Sequence, residues 1–370
     1  MSKVLGIISC NYQFNKIHEL NQNRPIAALP FGGRYAIVDF PLSNMVNAGI
    51  TSVGIIMPAD YRPILDHIRS GKSWGLNRKS GGLFILPGMT VSLDGNNKFP
   101  IKDFRKNIDF LKREKAEYIV ISGSNSVINI DLAEVIEEHQ LNQADVTLIY
   151  KEQPKVNCDE LAYIVKLDDK GQVTDMVKSG TVDFDSCRIF TDQLIIGREL
   201  LLRLLTESYS GEELSLIDLV KNRTNELKVL SYEFKGYYAS IFSKETYFKA
   251  NMSLMEPAVV QQLFQGNNKI VTRTKDNPPT KYSQEANIKD SLVSSGCLIK
   301  GQLEKSLLFR GVKVEKGARV KNSIIMHDCQ IGQDVVLENV ILDKSVVISP
   351  GIEIIGHKDS PTFIPKFKSL

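Results

Sequence analysis

A spaced aliphatic pattern in residues 291–370 restricts the fold of this chain more than any other feature. Aliphatic residues recur there at steps of five, six or ten, at Val314, Val320, Ile325, Ile331, Leu337 and Val347, with Gly311, Gly317, Gly332 and Gly351 at turns. A period close to six in such residues is typical of a β-solenoid with three short strands per coil. We favour the solenoid over a small β-sandwich, the alternative, because stacked coils would bury these residues against each other.

Residues 1–260 have a different pattern, in which strand-like and helix-like segments alternate. Three of the predicted strands are the apolar runs 4–9, 51–57 and 117–122. This alternation predicts an α/β domain with a Rossmann-like, mostly parallel sheet covered on both faces. Ligands of such sheets bind beyond the carboxyl ends of the strands. We therefore expect the loops after Ser9, Met57 and Ser122 to form the functional edge of this domain.

The segment between these two patterns is polar and contains Pro278-Pro279. Such a composition is typical of a linker. We therefore predict a first domain of residues 1–260, a linker of residues 261–290 and a solenoid domain of residues 291–370.

The stretch PFGGRYAIVDFPLSN at 30–44 is the most distinctive local motif. Its two glycines, Gly32 and Gly33, allow a tight turn and a close approach to a ligand or to another segment. A strand over residues 35–40 and a helix over residues 42–48 are predicted to follow. Two interpretations remain open at this point: a ligand-binding loop, or a well-packed corner between a strand and a helix.

Composition excludes several classes of protein. The 370 residues carry 46 Lys and Arg against 43 Asp and Glu, so the net charge of +3 gives no reason to expect nucleic acid as a partner. No apolar run approaches the length of a membrane span. The five cysteines are scattered and never form a CxxC pair, which argues against a disulfide framework or a zinc site. We expect a cytoplasmic protein.

Several motifs together resemble the ADP-glucose pyrophosphorylase (glucose-1-phosphate adenylyltransferase) family. They are PFGGRYAIVDFPLSN with the following MVNAGITSVGII, HIRSGKSWGLNR at 67–78, GGLFILP at 81–87, YFKANMSL at 247–254 and SLLFRGVKVEKGARVKNSIIM in the solenoid. The resemblance implies a nucleotidyltransferase domain followed by a left-handed parallel β-helix. It also implies a reaction in which ATP and glucose 1-phosphate give ADP-glucose and pyrophosphate.

The chain departs from the family at the loop that holds the triphosphate. Active members have a Gly-Gly-x-Gly-Thr-Arg-Leu loop after the first strand, whose backbone N–H groups cradle the phosphates. Residues 11–17 read NYQFNKI instead, with Phe14 at a glycine position and Lys16 as the candidate remnant of the arginine. The lysine of the family's Ala-Lys-Pro motif is also lost, because its place is taken by Ile26.

The metal positions depart further. Active members hold Mg²⁺ with two aspartates, and the corresponding positions here are Ser124 and Ser240. Magnesium prefers carboxylate and phosphate oxygens, and nucleotidyl transfer depends on its charge. Two further family segments are altered: Gly-Thr-Ala-Asp corresponds to 99–102, and Glu-Lys-Pro to 178–180, where Ser179 replaces the lysine.

These departures resemble the non-catalytic, regulatory subunit type of the family. Such a subunit assembles with the catalytic ADP-glucose pyrophosphorylase subunit into a heterotetramer, with self-association as an alternative. We therefore expect no cofactor on this chain, with Mg²⁺ used by the catalytic partner. Two alternatives remain: a weakly active sugar-phosphate nucleotidyltransferase, and a β-helix acyltransferase with His327 as its general base.

The resemblance also places a phosphorylated metabolite effector between the two domains. Arg24, Arg34 and Lys72 are the candidate phosphate-binding residues, since guanidinium and ammonium groups suit phosphate oxygens. The competing interpretation for each is an ordinary surface cation. For Trp74 and His67, in the same region, we expect packing rather than chemistry.

Overall fold

The structure is a computed structural model that describes residues 3–11, 17–89, 98–154, 162–181, 186–207 and 214–370. It contains an N-terminal α/β domain and a C-terminal parallel β-solenoid, as the sequence predicts. Lys16 and Phe14 lie outside the described residues. Among the described helices, none has the length and apolar character that crossing a membrane requires.

The N-terminal domain is built on a nine-stranded sheet. The described strands of this domain are β1 Val4–Ser9, β2 Pro30–Phe31, β3 Tyr35–Ala36, β4 Ser52–Met57, β5 Gly82–Pro87, β6 Tyr118–Gly123, β7 Ser126–Ile128, β8 Val146–Pro154, β9 Tyr163–Leu167, β10 Val173–Lys178, β11 Ser186–Gly197, β12 Val229–Glu233 and β13 Tyr238–Ser240. The main sheet runs β10-β9-β11-β6-β1-β4-β5, and β8 pairs with both β11 and β12. Strands β6, β1, β4 and β5 are parallel, whereas β11 runs antiparallel to its neighbours.

Helices cover both faces of the sheet. Those described are α1 His18–Asn21, α2 Asp39–Asn47, α3 Arg62–Ile68, α4 Ile101–Lys106, α5 Ile108–Arg113, α6 Leu132–Leu141, α7 Arg198–Glu207, α8 Leu216–Lys221, α9 Lys244–Met252 and α10 Pro257–Phe264. Side chains alternate between the faces along a strand, so Ile7 of β1 belongs to one hydrophobic cluster and Ile8 to the other. This double burial explains why the central strands read as continuous apolar runs.

The predicted strand over residues 35–40 is wrong, because only β3 is extended there and α2 already begins at Asp39. The cause is local. The side chain of Asp39 accepts a hydrogen bond from the backbone N–H of Ala36 at 2.9 Å, which folds the chain back at the start of the helix. Apolar residues within the first turn of a buried helix are not distinguishable by pattern from a buried strand.

The C-terminal domain confirms the solenoid and excludes the β-sandwich. Its short strands are β14 Lys281–Tyr282, β15 Asn287–Lys289, β16 Leu292–Val293, β17 Leu298–Ile299, β18 Gln302–Glu304, β19 Leu307–Leu308, β20 Lys313–Val314, β21 Arg319–Lys321, β22 Ile324–Ile325, β23 Gln330–Ile331, β24 Val336–Glu338, β25 Val340–Leu342, β26 Val347–Ile348, β27 Glu353–Ile355 and β28 Thr362–Ile364. They form three parallel five-stranded sheets, in which every third strand is a neighbour. Val314, for example, pairs with Ile331, which pairs with Ile348.

The predicted linker of residues 261–290 differs from the structure at both ends. Helix α10 continues to Phe264, and the first solenoid strands, β14 and β15, lie within the last ten residues of that segment. The first coil has a neighbour on one side only, so its strands are exposed and polar. The aliphatic period that reveals the later coils is therefore absent from the first one.

The glycine pair lies where the two domains meet. Gly32 donates its backbone N–H to Asn251 Oδ1 at 3.0 Å, and the carbonyl of Gly33 accepts a hydrogen bond from Ser294 Oγ at 2.9 Å. One hydrophobic cluster also spans both domains and includes Phe31 together with Phe309 of the solenoid. Of the two interpretations of the motif, the described contacts favour the packed corner, which here faces the solenoid.

Replacing Gly33 by alanine is expected to weaken this domain contact. Gly33 has φ +81°, and an added Cβ would collide with Ser294 Oγ. The matched control is Gly171→Ala, because Gly171 has φ +77° but no atom near the added Cβ. We expect Gly33→Ala to lower the free energy of unfolding by about 1–2 kcal/mol more than Gly171→Ala, from steric displacement and the lost hydrogen bond. Equal losses in urea denaturation would contradict this account.

Candidate functional site

The carboxyl ends of β1 and β6 meet at the edge of the sheet where the resemblance places the metal of active family members. Ser124 follows β6, is 1% exposed, and donates its hydroxyl proton to the backbone carbonyl of Ser9 at 2.9 Å. Ser240 ends β13, which pairs with β7 so that Ser240 lies opposite Ser126. The backbone N–H of Ile241 donates to the carbonyl of Asn125 at 2.7 Å. The structure thus brings the segments of Ser124 and Ser240 together.

The residues at this edge do not fit Mg²⁺. No group of three or more His, Cys, Asp or Glu side chains that could hold a metal occurs in the described parts of the chain. A carboxyl group at this edge, that of Asp103, accepts hydrogen bonds from Asn11 Nδ2 at 2.9 Å and from the backbone N–H of Met89 at 2.7 Å. Burial raises the pKa of Asp103, and these two donors oppose that rise. The carboxyl group is therefore already used to hold the segment after β1 against α4.

Ile26 lies in a short 3₁₀ turn, Ile26–Ala28, and is buried in the larger hydrophobic cluster. Its side chain contributes packing and carries no charge for a phosphate. The place that the sequence assigns to the family's lysine is therefore apolar in this chain. Lys16, at the position of the family's arginine, lies outside the described residues. Neither of these two family positions therefore supplies a cation in the described part of this edge.

A second site lies between the domains, where cations from both domains come together. We call it the interdomain cationic cluster, and its members are Arg24, Arg34, Arg273, Lys275, Arg310, Lys344 and Lys366, with His327 among them. The sequence predicted Arg24 and Arg34. Arg310 is 7% exposed, so a guanidinium is buried at this boundary. Such a concentration of positive charge requires anions to balance it.

Burial and repulsion between the cations lower the pKa values of several groups in the cluster. Burial is the largest influence on Lys344, followed by the charge of Arg24, and together they lower the pKa of Lys344 to about 8. Burial and the nearby Arg310 also lower the pKa of Lys275. His327 has a pKa well below its ordinary value, because of burial and then the positive charge of Lys344. An anion bound among these groups would relieve the repulsion.

Few carboxylates balance these charges. Asp343 forms a buried ion pair with Arg24. Asp39 is buried and is engaged with His67 Nε2 at 2.5 Å. Within the described ranges, the ammonium groups of Lys275 and Lys344 have no ion-pair partner, and His327 Nδ1 is buried without a hydrogen bond. The cluster therefore contains cationic and imidazole groups that influence one another and have no described ion-pair or hydrogen-bond partner.

The other predicted residues are placed as follows. Arg34 is exposed, and its guanidinium lies 5.3 Å from the centre of the Tyr35 ring. Lys72 is exposed in the 3₁₀ turn Lys72–Trp74, and no described contact joins it to the cationic cluster. Trp74 is buried beside His67, with ring centres 6.2 Å apart, in agreement with the expected packing role.

Sequence reasoning missed most members of the cluster. Arg273, Lys275, Arg310, Lys344 and Lys366 are far apart in the chain and belong to no short motif. Only the solenoid residues could have been related to each other from the sequence. Residues 17 positions apart occupy equivalent places in successive coils, as the pairing of Ile324 with Ile341 shows. Arg310 and His327 have the same spacing. Stacking by coil would have placed these side chains on one side of the solenoid.

Comparison with known proteins agrees with the fold and the motifs. The nucleotidyl transferase family model matches residues 15–178, and the C-terminal hexapeptide model of GlmU-like proteins matches residues 278–361. The C-terminal domain is thus the left-handed parallel β-helix that the resemblance implied.

Similar proteins cover nearly the whole chain. The glycogen biosynthesis protein GlgD of Bacillus subtilis is 34% identical over 99% of this chain and 96% of its own length. GlgD of Geobacillus stearothermophilus is 37% identical over 86% of this chain and 83% of its own length. The glucose-1-phosphate adenylyltransferase of Fervidobacterium nodosum is 30% identical over 96% of this chain and 87% of its own length. The chain therefore belongs to the glucose-1-phosphate adenylyltransferase family, among its GlgD-type members.

Proposed function

We propose that this chain is a regulatory, largely non-catalytic subunit of glucose-1-phosphate adenylyltransferase in glycogen biosynthesis. The observation that carries the proposal lies at the positions of the family's metal ligands, where Ser124 and Ser240 stand in place of carboxylates and Ser124 is already hydrogen-bonded to Ser9. Adenylyl transfer depends on metal ions that neutralise the charge of the phosphates. The GlgD names of two similar proteins support the role in glycogen biosynthesis.

The chain's own contribution is regulation of a catalytic paralogue, to which it binds in a heterotetramer. It raises the activity of that paralogue and its response to effectors. Regulation of this kind requires that effector and substrate sites bias a shared conformational equilibrium. The domain boundary suits such a role, because its packing at Gly33 and its charges at Arg24 link the solenoid to the sheet domain.

The effector is a phosphorylated metabolite that binds the interdomain cationic cluster. Arg310, Lys275 and Lys344 support this assignment, because each is positively charged, near the others, and lowered in pKa by burial and by neighbouring cations. Guanidinium and ammonium groups are the usual partners of phosphate oxygens. Arg34 lies at the exposed side of the same cluster.

The geometry favours neither alternative. A β-helix acyltransferase would need His327 as a base, but burial and four surrounding cations keep its pKa well below its ordinary value. A weakly active nucleotidyltransferase would need carboxylates for the metal, and the two positions that correspond to the family's aspartates hold Ser124 and Ser240.

The proposal is tested with the purified chain and the catalytic glucose-1-phosphate adenylyltransferase of the same organism. Pyrophosphate release from ATP and glucose 1-phosphate is measured for each alone and for the mixture, with and without phosphorylated metabolites. We expect no turnover from this chain alone, a higher rate from the mixture, and co-elution of the two in gel filtration. Robust Mg²⁺-dependent turnover by this chain alone would overturn the non-catalytic role. A mixture with an unchanged rate and no complex would overturn the partnership.

A further inference from the structure

Strand β5 is the last strand at one end of the main sheet and leaves that edge open. It pairs with β4, and no strand of the described residues lies beyond it. Its sequence, GLFILP, is apolar, yet the side chain of Ile85 is 45% exposed. Soluble proteins usually keep edge strands short, charged or covered, because an open apolar edge pairs readily with another chain. The fold of the single chain does not account for this edge.

The hydrogen bonds of β5 show which of its backbone groups face outward. Gly82 donates its N–H to the carbonyl of Thr51 at 2.7 Å, and Gly88 donates to the carbonyl of Met57 at 2.9 Å. The even-numbered residues of β5 therefore direct their backbone groups to β4. Since these groups alternate in direction along a strand, those of the odd-numbered residues face away from the sheet.

Among the odd-numbered residues of β5, only Ile85 has both groups free. Leu83 donates its N–H to the carbonyl of Leu76 at 3.1 Å. Pro87 has no N–H, and its carbonyl accepts a hydrogen bond from Asn107 Nδ2 at 3.0 Å. Within the described ranges, the N–H and the carbonyl of Ile85 have no partner. This residue thus presents one donor and one acceptor along the open edge.

Such a residue suits the centre of a pairing between two equivalent strands. Two equivalent edge strands that meet about a twofold axis run antiparallel. The residue at the axis lies opposite its own counterpart, and the two can exchange both hydrogen bonds. Ile85 meets this requirement, whereas positions 83 and 87 have no N–H to donate outward. The register of such a pairing is therefore fixed at Ile85.

Apolar side chains beside Ile85 enlarge the contact that this edge can make. Phe84 lies half-buried on the opposite face of β5 and packs against the half-buried Phe110, with ring centres 5.0 Å apart. Met89, just beyond the strand, is 41% exposed. Burial of apolar surface is the main favourable contribution to most protein association. The edge therefore combines two directional hydrogen bonds with apolar surface.

The charges around the edge disfavour a second copy of this chain as the partner. Asn107 joins the end of β5 to the junction of α4 and α5, where Asp109 is the exposed carboxylate of α5. In an antiparallel pair, the segment before β5 in one chain approaches this junction in the other. Both regions are rich in exposed cations, which would repel each other in a pair of identical chains. These cations are Arg78, Lys79, Lys106, Lys112 and Arg113.

We propose that β5 is the surface through which this chain binds its catalytic paralogue, with Ile85 paired antiparallel to the counterpart strand so that the two sheets become continuous. Glucose-1-phosphate adenylyltransferases align with 96% of this chain, a length that includes β5, so they have a counterpart of this strand. We expect carboxylates beside it in the paralogue, where they would face the cations of this chain. The inference rests on the proposed partnership and names the surface that forms it.

The test is hydrogen–deuterium exchange of single backbone amides, in this chain alone and mixed with the catalytic paralogue. The amide of Ile85 should exchange freely in the isolated chain and at least tenfold more slowly in the complex. The amide of Leu83 is the internal reference, because its bond to Leu76 protects it in both states. Protection of Ile85 that grows with the concentration of the isolated chain would assign the edge to a second copy. That result, or a complex in which Ile85 still exchanges freely, would overturn the proposal.

The matching variant is Ile85→Lys, because a lysine on an edge strand opposes pairing with another chain. The exposed side chain of Ile85 contributes little to the isolated fold, so the melting temperature should change by at most about 2 °C. The complex with the paralogue should weaken at least tenfold in a binding titration. Ile355→Lys is the control, since Ile355 is 58% exposed in β27, the last strand of its solenoid sheet. Loss of the complex in this control, with full binding by Ile85→Lys, would overturn the proposal.

Failure of this inference is distinguishable from failure of the regulatory function. A complex that raises pyrophosphate release while Ile85 remains unprotected would leave the partnership intact and reject only this surface. If no complex forms, the partnership is rejected and this inference with it. When the unchanged chain is half bound, Ile85→Lys should lose most of the activation and regain it at about ten times the concentration, since the variant weakens assembly alone.

Discussion

Replacing Ser124 and Ser240 together by aspartate is expected to leave the chain about 1,000-fold or more slower in adenylyl transfer than a catalytic relative. The two carboxylates supply ligands that a hard divalent ion prefers. They do not restore the phosphate cradle, because residues 11–17 lack the family's glycines. Binding of the metal and turnover should therefore separate in this variant.

Two measurements check this separation. Without metal, aspartate at position 124 would bury a carboxylate against the Ser9 carbonyl, so the melting temperature should fall. Mg²⁺ should then raise the melting temperature of the double variant but not that of the unchanged chain. Pyrophosphate release is measured under the same conditions, with each single variant as a control. A rate within tenfold of the catalytic relative would show that the two carboxylates are sufficient and that the missing glycines of residues 11–17 do not limit the rate.

The fold could be predicted where the burial of a residue follows a regular spacing in the nearby sequence. The aliphatic steps at Val314, Val320 and Ile331 indicated the solenoid, because every inner coil buries the same kind of residue. The first coil at Lys281 escaped prediction, because a coil at the open end has little to bury.

The site was predictable only in part, for a related reason. Ser124 and Ser240 could be singled out from the sequence because each occupies a fixed place in a recognisable motif. The same domain contains a buried ion pair between Lys98 and Asp192. These residues are 94 positions apart, so no local sequence pattern predicts their contact. Asp192 is buried within an irregularity of β11 between Phe190 and Leu194, and bulges follow from strand pairing rather than from composition.

The interdomain cationic cluster could not be predicted from the sequence either, because its charges come from distant parts of the chain. Lys344 was not a candidate, since a lysine in a turn is ordinarily solvated. It becomes significant because the fold brings Arg24, Lys275 and Lys366 near it, with Asp343 as the nearby carboxylate. The charge density exists only after the two domains have packed. Site residues that arise from such convergence require the three-dimensional structure.

Anion binding to this cluster is expected to take up a proton near pH 8 to 9. The pKa of Lys344 is about 8 in the folded chain, below its ordinary value of 10.5, because burial and the neighbouring Arg24, Lys275 and Lys366 disfavour its charged form. A bound sulfate favours the charged form and returns the pKa toward that ordinary value. Affinity should therefore fall as the pH rises from 8 to 10, by about 40-fold if the pKa is fully restored.

Without a bound anion, removal of the Lys344 charge should stabilise the folded chain, whereas it should weaken anion binding. The pKa of Lys344 is lower in the folded than in the unfolded state, so its protonation favours unfolding. This destabilisation is complete below pH about 8 and disappears above pH about 10.5. We expect Lys344→Met to raise the free energy of unfolding at pH 7 by about 1–2 kcal/mol in the absence of anions. The same variant should weaken sulfate binding and lose the proton uptake.

Calorimetric titration with sulfate, in buffers of different ionisation enthalpy, measures both the affinity and the proton count. Sulfate is the suitable probe because it does not titrate in this range, and the ring of His327 is already neutral at these pH values. Lys313→Met is the matched control, since Lys313 is an exposed lysine of the same solenoid. Sulfate binding with an unchanged affinity from pH 8 to 10, or with equal proton uptake in Lys344→Met, would show that the anion does not bind beside Lys344. That result would reject the interdomain cationic cluster as the proposed effector site.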